Sequence, residues 1–187
     1  MTLALDDCSD SELVALALAG RQSAYTVLLG RYREPVFRLA RGTIGDSDAA
    51  VDITQEAFVS AFAALKSYDS ERPFKTWISR IAINKCRDWA RRRAVRRFFS
   101  FALPIEAATS IADDTFTADQ QIADRAEFGR VRAAIATLPQ AIREPLVLRT
   151  IEGLTQAETA QVLGISEKAV ETRLYRARAK LTQTLRD

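Results

Sequence analysis

No histidine occurs anywhere in the chain. That absence removes the imidazole-dependent catalytic triads, the histidine–metal sites and the commonest proton shuttle. Cysteine is scarce too. Cys8 and Cys86 stand far apart and form no Cys-x-x-Cys pair, which argues against a zinc site and fits reduced thiols in a cytoplasmic protein. Neither a Gly-Lys-Ser/Thr phosphate loop nor a Gly-x-Gly-x-x-Gly turn is present. No apolar run approaches the ~20 residues of a membrane span, so no membrane insertion is expected. The opening residues, "MTLALDDCSDSELV", carry acids and no base, unlike a secretory signal. Carboxylates are plentiful, yet none is set in a recognisable catalytic frame. No cofactor or metal is implied, and the chain is not expected to be an enzyme.

What is present is charge, unevenly placed, on a helical pattern. The 187 residues have a net charge of only +3. From Arg80 to Arg97, however, eight basic residues face one acid, Asp88, whereas Met1 to Gly20 holds four acids and no base. A local basic field of this kind favours a polyanion. Nearly half of the residues are apolar, enough for real cores in one ordinary domain or two small ones.

Helical signals run along almost the whole chain. Ser9 and Glu12 form a capping box opening a helix that ends near Gly20. A second helix is expected over about 23–41, with Tyr25, Leu28, Leu29, Tyr32 and Val36 inward and Pro35 as a possible kink. A third is expected from Ser47 to Leu65, burying Val51, Thr54, Phe58, Ala61, Phe62 and Leu65. "KSYDSERP" reads as a loop, and a long basic helix follows over about 74–97. Residues 98–121, "FFSFALPIEAATSIADDTFTADQQ", have no helical period and no base. They read as a linker longer than most connections within one domain, with Phe98 and Phe99 packing back onto the first domain. Helical patterning resumes at Ile122, and Pro139 suits a first helical turn. The expectation is therefore an all-α protein of two small helical domains, 1–97 and 122–187, joined by a flexible linker over 98–121.

Near the C-terminus, Thr155 and Glu158 make another capping box, Gly164 suits a left-handed helix end, and Ser166 can cap the next helix. Val170, Leu174, Ala177 and Leu181 then form one apolar stripe. Lys168, Glu171, Thr172, Tyr175 and Arg176 lie on the other side. This is the spacing of a helix-turn-helix, although a solvated helical hairpin has the same pattern. In the long basic helix, Arg80, Asn84, Arg87 and Arg91 step by four, three and four and share a face. The arginine forks suit phosphates, and an asparagine among them can both donate to and accept from a base edge; a plain surface asparagine is the alternative. Asp52, Gln55, Glu56 and Val59 share an acidic face on the third helix, which would repel DNA and suits a protein partner or water.

Two stretches carry a family resemblance. "DITQEAFVSAFAALKSYDSERPFKTWISRIAINKCRDWARRR", Asp52 to Arg93, closely resembles the second region of extracytoplasmic-function sigma factors, promoter-specificity subunits of bacterial RNA polymerase. "GLTQAETAQVLGISEKAVETRLYRARAKL" resembles their fourth region, and the motifs follow in family order. The resemblance implies that Asp52, Gln55 and Glu56 dock on the polymerase core. It implies that the loop from Lys66 to Phe74, with Tyr68, and the face of Arg80, Asn84 and Arg87 meet a single-stranded minus-ten element, with Arg91, Arg92 and Arg93 on its backbone. It implies that Lys168, Glu171, Thr172, Arg173, Tyr175 and Arg176 face the double-stranded minus-thirty-five element; Glu171 departs from relatives with a basic residue there. It further implies control by an anti-sigma factor. A stand-alone helix-turn-helix regulator is the alternative, and a helical nuclease is disfavoured by the missing histidine.

Overall fold

The computed structural model describes residues 5–102 and 129–186, the side chains of 100–102 excepted. The expected linker from 103 onward, and the expected start of the second domain at 122–128, lie outside the described residues. Among the described residues the only regular structure is helical. In chain order the helices are α1 (Asp10–Leu18), α2 (Gln22–Ile44), α3 (Ser47–Ala63), α4 (Phe74–Ala102), α5 (129–137), α6 (Gln140–Thr150), α7 (Gln156–Leu163) and α8 (Glu167–Arg186), with short 3-10 turns at Leu5–Asp7 and Leu65–Ser67.

Local chemistry accounts for the boundaries. Ser9 accepts from the Glu12 backbone N–H while the Glu12 carboxylate accepts from the Ser9 N–H at 2.7 Å, a complete capping box. Asp46 caps α3 through the Ala49 N–H at 3.0 Å. Gly45 closes α2 at φ 75°, a left-handed backbone that suits glycine. Pro35 lies within α2, which continues past it on both sides.

Four expectations are corrected. Val51 is 44 % exposed, whereas Thr54, Phe58, Ala61 and Leu65 are buried as expected, and α3 adds Ala50, Ile53 and Ala57 to them. The stripe is wider on its small-residue side because α3 packs against both α2 and α4. Leu29 on α2 is likewise at the surface. Helix α4 does not stop at Arg97 but runs to Ala102. Phe98 and Phe99 do not pack back onto the first domain: they stay largely exposed and meet only edge-on, 5.9 Å apart.

The cores give the two groups of helices a shared interior. Leu13, Leu28, Leu39, Phe58, Phe74, Ile78 and Ile83 of the N-terminal group lie in one buried cluster with Val147, Leu148, Leu154, Val162 and Leu163 of the C-terminal group. A second cluster, with Leu138, Leu146, Ala160, Val170, Leu174 and Ala177, seats α8 on α6 and α7. Two helical domains are present, and α2 and α4 of the first pack against α6 and α7 of the second.

Candidate nucleic-acid and protein interfaces

Helix α8 is presented by the turn before it. Thr155 and Glu158 form a full capping box on α7, the Glu158 carboxylate accepting from the Thr155 N–H at 2.7 Å. That backbone bond holds the Glu158 carboxyl below its usual range. Gly164 ends α7 at φ 67°, where any Cβ would be strained, and the Ser166 hydroxyl then accepts from the Ala169 N–H at 3.2 Å. Val170, Leu174 and Ala177 are buried by this turn, as their spacing requires. Lys168, Glu171, Thr172, Tyr175 and Arg176 are consequently exposed, Tyr175 at 75 %. Lys168 pairs with Glu171 at 2.9 Å, one turn along the surface. Arg173 is half-buried and reaches the Ala141 carbonyl of α6 at 3.5 Å, so it stands apart from the exposed group. An exposed polar helix face that follows a tight turn, its back locked in a core, is the geometry that enters a major groove.

Helix α4 carries the second basic surface. Arg80 and Asn84 are exposed on its outer side. Arg91 is exposed and bonds Asp88 one turn back. Arg92 lies 3.7 Å from Glu56 and Arg93 lies 3.6 Å from Asp46, with the Arg93 guanidinium over the Trp89 ring at 4.9 Å. Exposed pairs of this kind are worth about 0–1 kcal/mol and yield readily to a competing phosphate.

Arg87 differs. Its Nε and Nη2 donate to the two carboxylate oxygens of Glu144 at 3.0 and 2.6 Å, a bidentate fork across the two domains. Glu144 is 1 % exposed and also accepts from Gln140 at 2.7 Å. The bond to Glu144 holds the Arg87 guanidinium above its usual pKa. Sequence reading placed Arg87 on a free DNA-facing stripe; its carboxylate partner lies 57 positions away, with no local signal to announce it.

The loop between α3 and α4 is anchored by its own aromatic. The Tyr68 hydroxyl donates to the Arg72 carbonyl at 2.6 Å, and its ring packs 5.4 Å from both Phe74 and Trp77. Burial pushes the Tyr68 phenol up. Its ring therefore supports the loop, and Lys66, Asp69, Glu71 and Arg72 are among the loop's outward groups.

Helix α3 supplies the third face. Asp52, Gln55 and Glu56 are exposed, with Val59 70 % exposed one turn on and Val51 beside Asp52. Glu56 lies between Lys85 at 4.0 Å and Arg92 at 3.7 Å. An exposed apolar residue bordered by carboxylates suits a protein surface rather than a phosphate backbone. The apolar part was missed from sequence for Val51, which periodicity had assigned to the core.

Cys8 and Cys86 are both buried and not joined in a disulfide; burial pushes the Cys86 thiol up to about 12. No helix among the described residues is long and apolar enough to cross a membrane.

Comparison with known proteins bears on these faces. Residues 28–96 match the family model for Sigma-70 region 2, and residues 128–181 match that for Sigma-70, region 4. RNA polymerase sigma factor CnrH of Cupriavidus metallidurans is 41% identical over 181 residues, covering 95% of this chain and 94% of the relative. ECF RNA polymerase sigma factor SigM of Mycobacterium tuberculosis is 33% identical, covering 95% and 85%. The structure of CnrH in complex with the cytosolic domain of CnrY is similar with a TM-score of 0.69 at 34% identity, covering 94% of this chain and 96% of that one. The sigma factor RpoE bound to the anti-sigma factor NepR from Bartonella quintana shares the fold, with a TM-score of 0.68 at 21% identity over 87% and 96%.

Proposed function

The chain belongs to the extracytoplasmic-function sigma factors of bacterial RNA polymerase, and on that footing we propose how its surfaces divide the work of promoter recognition. Residues 1–97 form the region that docks on the polymerase core and meets the minus-ten element, 122–187 the region that reads the minus-thirty-five element, and the chain between them the connection. Asp52, Gln55 and Glu56, with exposed Val51 and Val59, are the core-binding face. Arg80, Asn84, Arg87, Arg91, Arg92 and Arg93 of α4, beside the Tyr68 loop, hold the separated minus-ten strand. Arginines grip its backbone and Asn84 reads a base, since phosphate contacts alone carry no sequence information. Lys168, Glu171, Thr172, Arg173, Tyr175 and Arg176 face the upstream duplex, with Arg173 the most restrained.

The observation that carries this division is the coexistence of three exposed faces on three helices: two polar and basic, on α4 and α8, and one acidic and apolar, on α3. A stand-alone regulator has use for the second and no use for the third. The protein works in the cytoplasm by binding, while polymerase supplies the chemistry. The similar sigma factor CnrH, whose structure is of its complex with the cytosolic domain of CnrY, supports control of this chain by a bound protein, an anti-sigma factor.

The test is co-elution with core polymerase. Asp52→Lys combined with Glu56→Lys should weaken core binding while leaving the helical circular-dichroism signal unchanged, because exposed substitutions cost little stability. Undiminished co-elution of the folded double variant would reassign this face to solvent.

A further inference from the structure

We propose that Phe98, flanked by Phe99, is a base-stacking platform at the far end of the strand-binding stripe of α4, and that the ligand it takes is an unpaired nucleic-acid base. The proposal rests on the reading of α4 as the minus-ten helix.

The stripe of Arg80, Asn84, Arg87 and Arg91 advances by four, three and four residues. Continued by steps of four and three, it passes through Val95 and reaches Phe98. Phe98 stands about five turns beyond Arg80, ~27 Å along the axis, and so returns to the same side of α4. One face of a single helix thus presents guanidinium forks first and an aromatic ring last. Every residue from Arg91 to Phe99 is exposed.

Exposed rings are scarce in this molecule. Among the described residues the exposed aromatics are Phe98, Phe99 and Tyr175, and two of these lie near the end of α4. Phe98 is 75 % exposed and Phe99 63 %, with Val95 54 % exposed one turn back. Adjacent phenylalanines held in water are unfavourable by themselves, so such a patch marks a binding surface. Their planes stand 84° apart, an edge-to-face contact that leaves ring surface open. The other aromatics of this region are already committed. Tyr68 of the minus-ten loop packs on Phe74 and Trp77, and Trp89 is covered by the Arg93 guanidinium. The ring faces that α4 offers to a base are therefore those of Phe98 and Phe99.

The border of the patch identifies its occupant. On α3, exposed Val51 and Val59 are bordered by the carboxylates of Asp52 and Glu56, which suits a protein. On α4, five arginines and no acid lie between Trp89 and Phe98. The matching ligand is anionic and flat at once. Unpaired nucleic acid is both, with phosphates for the forks and bases for the rings. A base inside a duplex has both faces covered by its neighbours. The last base of an unpaired stretch has lost one neighbour, and the Phe98 ring takes that neighbour's place.

The experiment uses the full chain assembled with core polymerase, on a fluorescein-labelled duplex carrying a central unpaired bubble of mixed sequence; core polymerase alone is the baseline. Phe98→Ala should weaken the sigma-dependent binding roughly tenfold in fluorescence anisotropy. Phe98→Trp should bind as the unmodified chain does. Phe98→Leu, which keeps apolar bulk without a ring, should bind as weakly as Phe98→Ala. A stacked ring releases no counterion, so Phe98→Ala should leave the salt dependence unchanged, whereas Arg91→Ala flattens it. Full affinity in Phe98→Leu would make the patch a plain apolar contact and overturn the proposal. Reduced co-elution of Phe98→Ala with core polymerase would make it a protein-docking surface and overturn it equally, as would unchanged bubble binding when Phe98→Ala and Phe99→Ala are combined. An unmodified chain that adds nothing to the bubble binding of core polymerase would instead refute the minus-ten reading of α4, so the two failures are distinguishable.

Discussion

Glu144 and Glu152 are both almost fully buried, yet they are not equivalent. Glu144 has both oxygens occupied by Arg87 and a third bond from Gln140. Glu152 has Arg38 Nε at 3.6 Å, beyond hydrogen-bond reach, and its Oε1 has no hydrogen-bond partner among the described residues. Burial raises the Glu152 carboxyl above its ordinary value of 4.5, against the smaller pull of Arg38 and Lys75. The folded chain thus holds this proton more tightly than the unfolded chain. The stability that Glu152 contributes is fully present below about pH 4.5 and is lost as pH rises through its folded value. Glu152→Gln should raise the melting temperature at pH 7, and the advantage should shrink toward pH 4. Thermal scans over that range check it; an advantage independent of pH would show that charge burial is not the cause. Glu12 and Glu158 act in the opposite sense. Their cap bonds, to Ser9 and Thr155, lower both carboxyls, so their contribution is present above about pH 4.5 and is lost on acidification through the lowered values. Thr155→Ala should cost about 1 kcal/mol of stability in denaturant titrations. Both capping boxes were legible in sequence, because each needs only residues three apart. The burial of Glu144 and Glu152 was not legible, because their partners come from another domain.

Helices were legible where one face is buried and the other free. The stripe of Val170, Leu174 and Ala177 is buried as its spacing requires, and Glu171, Thr172, Tyr175 and Arg176 are turned outward with it. On α3 periodicity found Thr54, Phe58, Ala61 and Leu65 but erred at Val51, because the helix packs against two neighbours and carries alanines on its inner side where the larger Val51 was expected. The end of α4 was also missed, because "FFSFA" carries no stop signal and no charge and reads equally well as loop. At this scale the prediction concerns which helical side chains read sequence. Arg176→Ala should cost ~1–3 kcal/mol on the cognate upstream duplex and relax preference at one base pair. Asn84→Ala should change preference at one minus-ten base, whereas Arg91→Ala should weaken all promoters alike and flatten the salt dependence. Transcription by core polymerase from libraries saturated at each element checks all three. Equal loss on every promoter would make Arg176 and Asn84 backbone contacts.

At the scale of the whole molecule, sequence conveyed two helical domains and the separate surfaces on each, but not that the domains share an interior. Each domain's contact face carries arginines and polar residues, so it reads as a surface for solvent or nucleic acid, and only the fold brings Arg87 to Glu144. The shared cluster, from Leu39 and Phe74 to Leu148 and Leu163, has a consequence for cooperativity. Domains that bury apolar surface against each other unfold together when their interface free energy is comparable with the difference between their separate stabilities; domains that merely touch unfold in turn. The described packing places buried leucines and valines from both sides in one continuous cluster. Calorimetry on the unmodified chain should therefore show one heat-capacity peak whose calorimetric and van't Hoff enthalpies agree. A Cβ at Gly42 on α2 would meet Val147 of α6 and Ile151 just after it at 3.0 Å, so Gly42→Leu, which wedges α2 from α6, should split that peak into two. Two peaks in the unmodified chain would mean that the interface is too weak to couple the domains, and a single peak in Gly42→Leu would mean that their cores do not depend on this contact.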